Sequence, residues 1–177
     1  MDVVRVNDLE FRSYISNEMI QTRVKEIAQR INADLKNESP LFIGILNGSF
    51  MFAADLMKEV TIKSEITFVK LASYSGTEST GEVLTRIGLE KSVTGRTIVI
   101  VEDIIDSGKT IFEMLEILKK QKPARVIIAT LLLKPAALLY KFNVEYIGFE
   151  VPNDFLVGYG LDYDGLGRNL KDIYVKV

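Results

Sequence analysis

Apolar residues recur at two different spacings along this chain, and the switches between them outline its elements. From residue 16 to 35, Ile20, Val24, Ile27, Ala28, Ile31 and Leu35 fall three or four positions apart, which predicts a helix. Ser16 can cap it and Glu18 suits its first turn. Residues 41–46 read as a short strand closed by Asn47-Gly48-Ser49, and 50–60 as a second helix. Strands are expected at 66–71 and around 83–89, with a polar, small-residue stretch from Ser73 to Glu82 between them. Residues 97–101 form a β-branched run that predicts a buried strand ending at the acids Glu102 and Asp103. A helix follows from about Thr110 to Lys120, with Ile111, Leu115 and Leu118 on one face and Pro123 beyond its end. Residues 125–133, between Pro123 and Pro135, are the most apolar run and predict another buried strand; 144–149 predicts the last.

Strands alternating with helices predict an α/β fold, a mainly parallel sheet flanked by helices on both faces, in a single domain over 1–177. Composition narrows the function. With 22 basic against 24 acidic residues the net charge is −2, which gives no electrostatic footprint for nucleic acid. There is no basic-then-apolar leader and no apolar stretch of ~20 residues, so a cytoplasmic protein without a membrane partner is expected. Cysteine and histidine are both absent. A thiolate nucleophile and a cysteine zinc site are therefore excluded, any general base is a carboxylate, lysine or tyrosine, and a metal held through oxygen would be magnesium or manganese.

The segment from Val99 to Thr110, Val-Ile-Val-Glu-Asp-Ile-Ile-Asp-Ser-Gly-Lys-Thr, carries the densest chemistry. A strand, two acids and a glycine-containing turn into a helix suit a phosphorylated sugar: amides and the helix N-terminus attract phosphate, and acids suit hydroxyls or a divalent cation. Ser-Gly-Lys-Thr also ends a nucleotide triphosphatase loop, but the first glycine of that motif would fall at Asp103, and Asp106 sits inside the loop. Carboxylates there would repel a triphosphate. A structural reading leaves the acids solvated, with Asp106 or Ser107 capping the helix.

The same segment resembles the phosphoribosyl-pyrophosphate loop of the type I phosphoribosyltransferases, and most of all their hypoxanthine-guanine branch. Four further stretches resemble the family in the same order over roughly 40–175: Leu46-Asn47-Gly48-Ser49, Ser73-Tyr74 with Ser79-Thr80-Gly81, Leu133-Lys134, and Phe155-Leu156-Val157-Gly158-Tyr159-Gly160-Leu161-Asp162-Tyr163 with Arg168. The resemblance implies the family's fold, with a small hood formed by the terminal segments, and transfer of a 5-phosphoribosyl group from phosphoribosyl pyrophosphate to N9 of hypoxanthine or guanine. It implies a magnesium cofactor and a homodimer or homotetramer.

The residue roles it implies are specific. Asp106 would be the general base near purine N7. Glu102 and Asp103 would hold the ribose hydroxyls or a magnesium ion, and Asp106, Ser107, Gly108, Lys109 and Thr110 would cradle the 5-phosphate. Leu46, Asn47, Gly48, Ser73, Tyr74 and Arg168 would meet the pyrophosphate; the turn after Leu46 can carry a cis peptide in the family. Asn47 stands where many relatives have a basic residue and brings no charge. Lys134 would donate to the purine 6-oxo group, Phe155 would stack on the base, and Leu156 and Asp162 would border it, Asp162 also binding a second magnesium. Residues 73–82 would form a lid. Two alternatives remain: a nucleotide-binding regulator of the same fold, or a transferase for xanthine, adenine, uracil or orotate.

Overall fold

The computed structural model describes residues 3–71 and 85–177. The first helix, α1 (Asn17–Asp34), starts where its sequence predicts: Ser16 accepts the Met19 amide at 3.3 Å and caps it. Strand β3 (Leu41–Ile45) leads into α2 (Phe50–Glu59), then β4 (Glu65–Leu71) and the short β5 (Thr85–Ile87). Strand β6 (Thr97–Ile105), α3 (Lys109–Lys120), β7 (Arg125–Leu133) and β8 (Tyr146–Glu150) complete the main layer.

These strands form one sheet in the order β5-β4-β3-β6-β7-β8, parallel throughout except for β5 at the edge. Both faces are covered. Ile20, Val24, Ile27 and Ile31 of α1 and Phe52 and Leu56 of α2 pack on Val99, Val101, Ile127 and Ala129. On the other side, Ile111, Met114 and Leu118 of α3 pack on Ile98, Ile100 and Ile128. Central strands buried on both faces explain the unbroken apolar runs in their sequence.

One boundary differs from the sequence reading in a way that bears on the site. Strand β6 does not end at the acids but runs four residues past Val101 to Ile105. Its neighbour β7 is itself nine residues long, and pairing continues to Ile105 with Leu133, so the backbone of Glu102 and Asp103 stays in the ladder. Polar side chains signalled an end that the partner strand overrode.

A second, antiparallel sheet stands apart from the first. It joins β1 (Val3–Val6) and β2 (Leu9–Ile15) to β9 (Leu156–Val157) and β10 (Ile173–Lys176), in the order β1-β2-β10-β9. This is the hood implied by the resemblance, although periodicity alone had assigned none of its strands. Phe11 is fully buried among Val6, Val157 and Tyr174.

Candidate active site

The C-terminal ends of β3, β6 and β7 converge on one edge of the main sheet, where ligands of open α/β sheets bind. The acids come first. Glu102 and Asp103 are buried, at 6% and 8% exposure, because β6 carries them inside the sheet rather than beyond it. Burial pushes the Glu102 carboxyl well above its usual range, and the neighbouring Asp103 adds to the effect. Glu102 Oε2 is buried with no hydrogen-bond partner among the described residues. A buried carboxyl oxygen without a partner on a residue that lines the cleft is a candidate position for a cation or hydroxyl.

The turn that follows β6 is stitched to the segment after β7. The Lys134 amide donates to the Ile105 carbonyl at 2.9 Å, and the Leu139 amide donates to the Ser107 carbonyl at 3.0 Å. This brings the two side chains together: Lys134 Nζ donates to Asp106 Oδ2 at 2.7 Å. The Lys134 side chain is 8% exposed and that of Asp106 is 53% exposed. The end of β7 therefore buries its lysine instead of presenting it to solvent, with the ammonium fixed by the proposed base.

Gly108, with a left-handed φ of 81°, is the N-cap of α3, and it provides no side-chain cap. The expectation that Asp106 or Ser107 caps this helix is corrected in part: the Ser107 hydroxyl accepts the Lys109 amide at 3.3 Å, and Asp106 turns to Lys134 instead. First-turn amides without a side-chain partner form an anion site. They border a pocket of about 80 Å³ together with Glu102, Asp106, Ser107 and Thr110.

Beside it lies a larger cleft of about 280 Å³. Leu46, Asn47 and Gly48 form one wall, Glu102, Asp103, Lys109 and Thr110 a second, and Asp162 with Arg168 a third. The peptide between Leu46 and Asn47 is cis. Gly48 is wedged between two neighbours. A β-carbon on it would come 1.7 Å from Asp103 Oδ2, and a β-carbon on Gly160 would come 2.1 Å from the Gly48 carbonyl oxygen. The loop thus touches an acid on one side and the hood segment on the other, which only bare backbone permits.

The hood segment is tied down in its turn. Arg168 pairs with Asp162 at 2.7 Å and donates to the Gly160 carbonyl at 2.6 Å; Asp162 also accepts the Gly165 amide at 2.7 Å. Tyr159, 1% exposed, donates to Asp55 of α2 at 2.7 Å, and Gln21 donates to the same oxygen at 2.7 Å. Burial, reinforced by Asp55, pushes the Tyr159 hydroxyl well up, so it stays a donor.

Of the remaining expected residues, Phe155 is 43% exposed, held edge-on by Tyr163 with ring centroids 5.6 Å apart. Its ring also packs against Phe11, with centroids 6.1 Å apart, and the residue remains partly exposed. Leu156 is buried in β9, so its contribution to a base would be through backbone. Asp164, next to Tyr163, is exposed. Ser73, Tyr74 and the 73–82 stretch lie outside the described residues. Glu113, one turn into α3, lines the cleft without having been foreseen; its spacing of four from Lys109, to which it pairs at 3.8 Å, was the available signal.

The donor set suits magnesium. Among the described residues no cluster of three or more acids forms a complete ligand cage. Magnesium is usually held by one or two carboxylates, with water and substrate oxygens completing the shell. Glu102 and Asp103 meet that description, whereas Asp162 would first have to release Arg168 and the Gly165 amide.

Comparison with known proteins accords with this geometry. A model of the phosphoribosyl transferase domain matches residues 14–164. The chain is 42% identical over 170 residues to a hypoxanthine-guanine phosphoribosyltransferase of Bacillus subtilis, covering 96% of this chain and 94% of that protein. It is 40% identical over 168 residues to the bifunctional protein TilS/HprT of Listeria innocua, spanning 94% of this chain but only 26% of that longer protein. A solved hypoxanthine phosphoribosyltransferase from Staphylococcus aureus superposes with a TM-score of 0.89 at 37% identity, covering 97% of this chain and 93% of that one. Strand order, phosphate loop, paired acids and these matches lead to one conclusion: this chain belongs to the phosphoribosyltransferase family.

Proposed function

We propose that this protein, acting as a single catalytic unit over 1–177, transfers the 5-phosphoribosyl group of phosphoribosyl pyrophosphate to N9 of hypoxanthine and guanine. The observation that carries the proposal is the Lys134–Asp106 pair, a buried ammonium 2.7 Å from a carboxylate beside a helix N-terminus whose cap residue, Gly108, carries no side chain. A 6-oxopurine presents an acceptor at O6 and a ring nitrogen at N7 on one edge. Lys134 donates to the first, which turns it away from Asp106 and leaves the carboxylate to take a proton at the second. Adenine carries an amino group at position 6, so two donors would face each other, and it is rejected.

The other residues hold the sugar. First-turn amides of α3 with the hydroxyls of Ser107 and Thr110 bind the 5-phosphate, Glu102 and Asp103 orient the ribose hydroxyls, and Arg168 donates to the pyrophosphate. Phe155 covers the base. A magnesium ion bound at Glu102 and Asp103 would add positive charge against the departing pyrophosphate. No helix of the described residues is long and apolar enough to cross a membrane. The proposal places the reaction in the cytoplasm, in a homodimer or homotetramer. The test is nucleotide formation from phosphoribosyl pyrophosphate with hypoxanthine, guanine, xanthine, adenine and uracil, with and without magnesium. Turnover with hypoxanthine and guanine is expected; turnover with adenine or uracil alone would refute the proposal.

A further inference from the structure

The loop 46–48 brings a neutral carboxamide, that of Asn47, to the wall of the cleft. Charge around it is unfavourable for a diphosphate. Glu102, Asp103, Glu113 and Asp162 line the cleft against two cations, and both are already paired, Arg168 with Asp162 at 2.7 Å and Lys109 with Glu113 at 3.8 Å. A third cation stands beside the loop. Lys70, next to last in β4, donates from Nζ to Asn47 Oδ1 at 3.1 Å. The sheet dictates this placement. Ile45 pairs with Val69, and the Leu46 amide donates to the Val69 carbonyl at 2.8 Å, so the chain leaves β3 directly against Lys70. Among the described residues, no ion pair within 4.0 Å involves Lys70. An ammonium bonded to a neutral amide keeps its charge for an anion, and Asn47, with its oxygen engaged, offers the cleft chiefly donors.

We infer that Lys70 is a diphosphate-binding residue, its ammonium reaching the cleft from β4 and Asn47 orienting it. This deepens the transferase reading above and rests on it for the identity of the anion. Inorganic pyrophosphate is the probe, titrated by calorimetry in magnesium buffer into the wild-type protein, Lys70→Met and Lys70→Arg. Lys70→Met raises the dissociation constant about tenfold, the effect of losing one charge-assisted hydrogen bond at a partly exposed site. Lys70→Arg stays within about threefold of wild type, since charge and donors persist. The KM for phosphoribosyl pyrophosphate rises in parallel, while the KM for the base and the melting temperature hold. A lysine that merely braced the loop would shift the melting temperature and both KM values together, which overturns the inference. Moving the charge onto the loop with Asn47→Lys in the Lys70→Met background restores pyrophosphate affinity. Pyrophosphate binding to Lys70→Met as tight as to wild type also overturns the inference. A wild-type protein that forms no nucleotide refutes the transferase reading instead, and the direct titration still decides whether Lys70 holds diphosphate.

Discussion

Replacing Asp55 by alanine removes an acceptor shared by three donors from three parts of the chain. Tyr159 of the hood and Gln21 of α1 donate to one oxygen, each at 2.7 Å, and Lys58 donates to the other at 2.8 Å. The cost is unequal among them. Lys58 is 71% exposed and returns to water at little cost, whereas the Tyr159 hydroxyl belongs to a residue only 1% exposed and would be stranded. One stranded buried hydroxyl and one weakened amide amount to about 3–4 kcal/mol. For a chain of this size that lowers the melting temperature by roughly 6–16 °C. Tyr159→Phe removes the donor but leaves Asp55 with Gln21 and Lys58, so its loss is about 1–2 kcal/mol, or roughly 2–8 °C. The double variant strands no hydroxyl and is expected to be no less stable than Asp55→Ala alone. Burial raises the Asp55 carboxyl, but the bonds from Lys58, Tyr159 and Gln21 outweigh it and leave the group below its ordinary value of 3.8. The carboxylate's contribution is therefore complete above that value and is lost as pH falls through the lowered one. The gap between wild type and Asp55→Ala narrows accordingly in calorimetric scans taken below about pH 4. Strictly additive losses, or a Tyr159→Phe cost equal to that of Asp55→Ala, would refute this account of the network.

Asp106→Asn lowers kcat by about 10²–10⁴ in steady-state assays while leaving the KM for phosphoribosyl pyrophosphate within about threefold, as loss of a general base requires. Glu102 behaves oppositely to Asp55: its raised value favours the protonated form in the folded state, so wild-type stability falls as pH rises above the ordinary 4.5. In metal-free buffer, the melting temperature of Glu102→Gln relative to wild type is expected to increase between about pH 4 and pH 7; a decrease would contradict it. Gly48→Ala places a methyl group 1.7 Å from Asp103 Oδ2, and must displace either the acid or the loop. Activity falls at least about 10²-fold with circular dichroism unchanged in the helical region, whereas full activity would show the contact to be soft.

Much of this was written plainly in the sequence. Paired strands with helices on both faces make β3 apolar throughout and give β6 and β7 their long apolar runs, and the spacing of Ile20, Val24, Ile27 and Ile31 could serve only a helix. The candidate phosphate loop was legible because its acids, serine, glycine and threonine all fall within residues 102–110. The hood was harder. Its strands β1 and β2 do alternate, with Leu9 and Phe11 directed inward and Glu10 and Arg12 outward, but β9 holds only two residues and is defined by its partner β10 rather than by its own composition. Contacts between distant segments leave no local signature. Nothing near Asp106 announces that Lys134 will reach it, nothing near Asn47 names Lys70, and Asp55 reads as one more acid on a helix. The burial of Glu102 was hidden for a related reason, since it depends on the length of β7 and not on β6.

The back-to-back approach of Gly48 and Gly160 limits how this pocket could be re-engineered. Neither position has room for any substituent, because each lies against the main chain or acid of its neighbour. Libraries aimed at a new leaving group would be wasted there. Diversity has to enter through the flanking positions, Asn47 on one rim and Asp162 with Arg168 on the other, where side chains already face the opening.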